Sequence, residues 1–89
     1  MLVSLADGPK HGYAIMDDIA RLADTRIGPG TLYGALARLE RLGLIESLPA
    51  EDRRRPYRLS AQGADLLQHE LSGLQRIASA GLVRLAAQP

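Results

Sequence analysis

The chain has 89 residues, 46% hydrophobic and 24% charged, a length with room for one small domain and a balance that excludes a disordered chain. It contains no cysteine and no apolar run near the roughly 18 residues of a membrane span, so disulfide, thiolate and integral-membrane chemistry are excluded. The net charge is only +1, which excludes a uniformly cationic surface. Apolar residues at Leu2, Leu5 and Ala6 predict a short first helix that stops before Gly8-Pro9. A second helix is expected from about Gly12 to Ala23, with Ile15, Ile19 and Leu22 on its apolar stripe and Asp17, Asp18 and Arg21 on its wet side. Thr25-Arg26-Ile27 forms a link able to hold one β-bridge. Gly28-Pro29-Gly30 then breaks the chain, with Pro29 suited to open the next helix.

That third helix, about Gly30 to Leu42, places Leu32, Leu36 and Leu39 on its buried side, flanked by Ala35 and Leu42. Thr31, Gly34, Arg38 and Arg41 fall mainly on the opposite face, with Tyr33 at the border. Gly43 is expected to close the helix in a left-handed conformation. Leu44 to Leu48 reads as a strand, Pro49 to Arg55 as a charged loop, and Pro56 to Leu59 as a second strand, together a hairpin with a basic tip. Ser60 is a good N-cap for a fourth helix reaching about Leu85, roughly 39 Å long at 1.5 Å per residue. Along it Leu67, Leu71, Leu74, Ala78, Gly81 and Leu85 recur at alternating spacings of four and three. So small a core cannot cover a stripe of that length, so the outer half of the helix calls for a symmetry mate. The fold class is therefore mainly α with a small β-hairpin. It is a winged helix-turn-helix over residues 1–59 followed by a dimerisation helix over residues 60–89.

Charge is unevenly placed. Residues 1–25 sum to −2, residues 26–58 to +3, and residues 59–89 to zero. A basic middle in a near-neutral chain points to a local anionic partner. Apart from Lys10 every cation is an arginine, the side chain suited to bidentate contact with phosphate or guanine. Arg53, Arg54 and Arg55 at the hairpin tip could reach a phosphate backbone or a minor groove; the plainer alternative is a solvated loop paired with Glu51 and Asp52. Arg38 and Arg41 suit phosphate or base-edge contact in the major groove, or else form a solubilising face beside Glu40. Thr31 could donate to a phosphate at the helix start, or simply stand there. Lys10 and Tyr13 flank the start of the second helix, where they could touch a phosphate; otherwise His11 caps the helix and Tyr13 is core. Histidines at 11 and 69 with no metal-ligand spacing or phosphate loop predict no catalytic residue, no metal site, no cofactor and no enzyme.

Four segments in order resemble the PadR family of bacterial transcriptional regulators, over Leu2 to Leu67. His11-Gly12-Tyr13-Ala14-Ile15 is similar to the family's HGYEI, and Pro29-Gly30-Thr31-Leu32-Tyr33-Gly34-Ala35-Leu36 to PGTLYPAL. Arg38-Leu39-Glu40-Arg41-Leu42-Gly43-Leu44-Ile45 resembles RLExxGLI, and Tyr57-Arg58-Leu59-Ser60-Ala61-Gln62-Gly63 resembles YRLTxxG. Ala14, Gly28, Gly34 and Pro56 depart from the common pattern without removing a basic residue. A single helix after the wing resembles the family's short subgroup. The resemblance implies contact between Tyr33 and DNA; the alternative is a ring packed on the second helix.

The resulting expectation is a sequence-specific DNA-binding regulator, a repressor by resemblance, bound to a pseudo-palindromic operator as a cytoplasmic homodimer. Its DNA contacts are expected from Lys10, Tyr13, Thr31, Tyr33, Arg38, Arg41, Arg53, Arg54 and Arg55. Its dimer seam is expected from Leu67, Leu71, Leu74, Ala78 and Leu85. A small-molecule effector is kept among the partners, although a chain with no Trp and no Phe is poorly supplied for aromatic stacking. The rival reading is a winged-helix module that docks on a protein without touching DNA.

Overall fold

A computed structural model describes residues 1–88. A 3-10 turn over Leu2–Leu5 leads to strand β1 (Lys10–His11), helix α1 (Gly12–Ala23) and helix α2 (Pro29–Arg41). Strands β2 (Ile45–Ser47) and β3 (Pro56–Leu59) follow, and helix α3 (Ala61–Ala86) is the last element among the described residues. The strands form one antiparallel sheet in the order β1-β3-β2. This is the winged helix-turn-helix with a long last helix that the sequence predicts.

Each helix end has a local cause. The imidazole Nδ1 of His11, on extended backbone, accepts from the Ala14 N–H at 3.4 Å and caps α1. Asp24 ends that helix in the left-handed region at φ 51°, which a short polar side chain tolerates. Pro29 opens α2 with its φ already set. At the other end Gly43 takes φ 76°, its N–H donates to the Glu40 carbonyl and the Leu44 N–H to the Leu39 carbonyl, both at 3.0 Å. That pair of bonds is a Schellman motif, and it satisfies two carbonyls that the helix end would otherwise leave open.

The core is small. Leu5, Ile15, Leu32, Leu36 and Ile45 are 2% exposed or less, with Met16, Ile19, Ile27, Leu39, Tyr57 and Leu59 packed around them. Each of the five contributes roughly 1.5–3 kcal/mol by leaving water. The start of α3 is fastened to this body by a cluster of polar bonds. The Ser60 hydroxyl donates to the Gly43 carbonyl at 2.6 Å and accepts from the Gly63 N–H at 3.0 Å, while the Ser60 N–H donates to the Leu44 carbonyl at 3.1 Å. Gly63 is buried against that same Leu44 carbonyl, and any Cβ at residue 63 would overlap its oxygen.

Several sequence expectations need correction. The first helix is a 3-10 turn, too short to complete α-helical bonding. Thr25-Arg26-Ile27, a link able to hold one β-bridge, forms none. The hairpin is part of a three-stranded sheet. Leu22 and Leu42 each stand 61% exposed, at the C-terminal ends of their helices. Asp18, expected on the wet side, is half-buried, and β2 is confined to Ile45–Ser47.

Beyond its first turns α3 leaves the body and stretches the molecule to 58 Å by 27 Å by 20 Å. Leu67 is half-buried at its root, whereas Leu71 is 44%, Leu74 62% and Leu85 70% exposed. Ala78 is exposed as well, and Ile77 and Leu82, which the sequence reading left out, border the same stripe.

The two kinds of glycine should respond oppositely to substitution. Gly63→Ala drives a methyl into the Leu44 carbonyl and is expected to lose about 3 kcal/mol or more in urea unfolding. Gly34→Ala, whose Cβ meets nothing within 4 Å, is expected to gain about 0.5–1 kcal/mol as a better helix former.

Candidate nucleic-acid interface

With about 100° between successive residues, Gly30, Gly34, Ala37 and Arg41 lie on α2 opposite Leu32 and Leu36. Thr31 and Arg38 form one flank of that outward face, and Tyr33 and Glu40 the other; all eight are exposed. The small residues at its centre let the helix backbone approach another surface closely, with the long cations at its C-terminal half.

Tyr33 packs on the second helix, as one of the two readings offered for it expects, without being buried. It is 46% exposed, yet its ring passes over the first residue of α1: a Cβ at Gly12 would lie 2.5 Å from the Tyr33 hydroxyl oxygen. The phenol therefore sits beside the N-terminal end of α1. Tyr13, at 61% exposure, is not core. His11 is the cap that the plainer reading expects. Lys10 is already engaged: its ammonium donates to the Ser4 carbonyl and the Asp7 carboxylate. That hydrogen bond, and then the ammonium's charge, hold the Asp7 carboxyl below its ordinary range.

The arginines divide by whether a carboxylate answers them. Arg21 pairs with Asp18 at 3.5 Å, and Arg58 donates to Glu46 Oε2 from Nη2 at 2.9 Å and from Nε at 3.1 Å. Arg38, Arg41, Arg53, Arg54 and Arg55 are all exposed, and none forms an ion pair among the described residues. Glu51 and Asp52 form no ion pair with the tip arginines. The Glu46–Arg58 pair escaped the sequence reading, although aligning the hairpin would have set these residues opposite each other.

The hairpin tip is unusual in its backbone. Glu51 and Arg54 exchange both backbone hydrogen bonds, at 2.7 and 2.8 Å, around Asp52 at φ 49° and Arg53 at φ 65°. Positive φ at both central residues defines a type I′ turn, which ordinarily takes Asn-Gly or Asp-Gly. A non-glycine residue in that region costs roughly 1–2 kcal/mol. In addition, Ser47 pairs with Tyr57 and Glu51 with Arg54, so one strand holds an extra residue, a bulge around Pro49-Ala50.

The model of the PadR-like family of transcriptional regulators matches residues 1–69, from the 3-10 turn into α3. The chain belongs to this family. Members of the PadR-like family are transcription regulators and not enzymes. Among similar proteins, an uncharacterised 37.1 kDa protein of transposon Tn4556 from Streptomyces fradiae is 47% identical over 77 residues. That match covers 86% of this chain but only 22% of the transposon protein's length. A PadR family transcription regulator from Clostridium difficile superimposes with a TM-score of 0.82 at 25% identity, over 94% of this chain and 92% of its own. A transcriptional regulator from Clostridium thermocellum gives 0.73 at 29% identity, over 98% and 85%. No helix of the PadR-like chain is long and apolar enough, among the described residues, to cross a membrane.

Behind the exposed face, Tyr57 of β3 is half-buried, and the Glu40 carboxylate, nearby, accepts from the Ser47 hydroxyl at 2.7 Å. Burial, then Glu40, then Tyr33 push the Tyr57 phenol above its ordinary value of 10.0. The folded state thus keeps its proton longer than the unfolded chain does. The stability involved is fully present below the unfolded value and is lost as pH rises through the folded one. Unfolding midpoints followed between about pH 9 and 12 should fall with pH, and Tyr57→Phe should remove part of that fall.

Proposed function

We propose that this PadR-like chain is a sequence-specific regulator of double-stranded DNA, a repressor that binds a pseudo-palindromic operator as a homodimer in the cytoplasm. Helix α2 enters the major groove with Arg38 and Arg41, while Thr31, Tyr33 and Tyr13 supply hydroxyls near the starts of α2 and α1. Arg53, Arg54 and Arg55 of the wing hold the flanking strand, and Lys10 adds a phosphate contact once Asp7 yields it. Residues 1–59 serve as the DNA-binding unit and residues 60–89 as the dimerisation helix. Repression and the dimer follow the family's pattern. The observation that carries the DNA reading is the set of five arginines on α2 and the wing, all exposed and none answered by a carboxylate.

A dimer with three to five cationic phosphate contacts per protomer should release counterions from roughly six to ten phosphates, giving a log K against log salt slope on the order of −5 to −9. Replacing Arg53, Arg54 and Arg55 together by Ala is expected to flatten that slope and to weaken the protein on any duplex. An unchanged slope in fluorescence anisotropy would refute the wing contact. Arg38→Ala should lose about 1–3 kcal/mol on the selected operator and much less on random DNA; equal losses would make it a phosphate anchor.

The exposed stripe of Leu71, Leu74, Ala78 and Leu85, rooted at Leu67, supports pairing of α3 with its copy. A two-fold pair would set the two α2 helices about 34 Å apart, one turn of DNA. Leu71→Asp combined with Leu74→Asp is expected to yield a monomer in light scattering and to weaken operator binding. A persisting dimer would move the interface elsewhere.

A further inference from the structure

The three wing arginines are not equivalent. The backbone N–H and C=O of Arg54 are both bonded to Glu51 in the tip ladder, and Arg55 runs directly into β3. Arg53 alone occupies the second central position of the turn, with left-handed backbone at φ 65°. That position selects glycine, since an L side chain there crowds the following carbonyl. The chain instead places a long, permanently charged side chain where backbone preference most favours none. The extra residue around Pro49-Ala50 also bends and twists the tip relative to the sheet.

What Arg53 can meet is limited by its neighbours. Glu51 and Asp52 stand beside it, both exposed, so a tip laid flat along a phosphate ridge would press two carboxylates against phosphates. An arginine reaches well past an aspartate and can enter a groove while the carboxylates remain outside. The minor groove, about 6 Å wide, admits a single extended side chain. Its potential is most negative where A·T-rich stretches narrow it. Resting on the DNA-binding reading above, we propose that Arg53 is the minor-groove reader of the wing. It gives the operator A·T-rich flanks outside the bases met by α2, while Arg54 and Arg55 contact phosphates without regard to sequence.

The test uses the full chain and duplexes selected from a random library by the unaltered protein, rebuilt with A·T, G·C or inosine·C flanks. Inosine·C keeps the major-groove edge of G·C but lacks the guanine 2-amino group in the minor groove, a change to which a phosphate contact is blind. The unaltered protein should bind the A·T and inosine·C flanks about tenfold tighter than G·C, a plausible worth for one groove contact. Arg53→Ala should abolish that preference and Arg53→Lys restore part of it, whereas Arg54→Ala and Arg55→Ala should weaken all three duplexes alike and keep it. Asp52→Asn combined with Arg53→Gly installs the dipeptide the turn favours. It should hold or raise the thermal midpoint while losing the preference, which separates reading from mere folding of the wing. Equal affinity of the unaltered protein for the three flanks, or a preference that survives either Arg53→Ala or the turn-favouring pair, overturns the assignment. Selection that recovers no duplex at all overturns the DNA-binding reading itself, and this one with it.

Discussion

The molecule turns on one backbone crossing, where Gly63 backs onto the carbonyl of Leu44. Three elements meet there: α2 has just ended at Gly43, β2 is about to begin, and α3 has just started from Ser60. The Ser60 hydroxyl bridges the Gly43 carbonyl and the Gly63 amide, and its own amide takes the Leu44 carbonyl. No side chain fits in the gap. Because both ends of the hairpin are tied within this knot, the direction of the wing relative to α2 is decided at its base rather than at its tip. The same knot sets the line along which α3 departs. A protein with five buried hydrophobic side chains among the described residues has little packing with which to hold such angles. Hydrogen bonds to otherwise orphaned helix-end groups do that work, and each is costly to leave unmade.

Electrostatics in this chain is a matter of allocation more than of strength. Its ion pairs lie at or near the surface, where such pairs typically contribute about 0–1 kcal/mol. Their effect is to decide which cations remain available. Glu46 retires Arg58 from the outer face of the sheet, Asp18 retires Arg21, and Asp7 holds Lys10. Five of the cations left unanswered lie on α2 and the wing, and the others, Arg26, Arg76 and Arg84, are spread over the α1–α2 link and α3. A net charge of +1 is therefore a poor guide to the field a partner would meet.

The readable parts of the sequence were those with strong local physics. The stripes of Ile15 and Ile19, and of Leu32, Leu36 and Leu39, placed α1 and α2, and Pro29, Gly43 and Ser60 marked three helix ends within a residue or so. The long helix and its uncovered seam followed from spacing alone. Elements that depend on distant partners were not legible. Lys10–His11 is too short to show a strand's alternation and exists because β3 offers it an edge. The exposure of Leu22 and Leu42 depends on what packs against the helix ends, which periodicity does not encode. In the candidate interface, charge singled out the arginines, but not the left-handed backbone that sets Arg53 apart from Arg54 and Arg55. The left-handed turn at Asp52–Arg53 runs against the preference of its own residues, so local rules pointed away from it.

The one-residue offset in the hairpin has a consequence for how this protein can change. The tip closes on its own pair of hydrogen bonds between Glu51 and Arg54, out of step with the ladder that joins Ile45 to Leu59. Register errors introduced beyond Ser47 are thus absorbed before they reach the core-facing residues, and no buried side chain has to switch faces. Insertions and deletions in residues 48–55 should be far better tolerated than in any other segment between the helices. The wing is in effect an exchangeable part, a place where lineages or engineers can vary reach and chemistry while the scaffold beneath stays as it is.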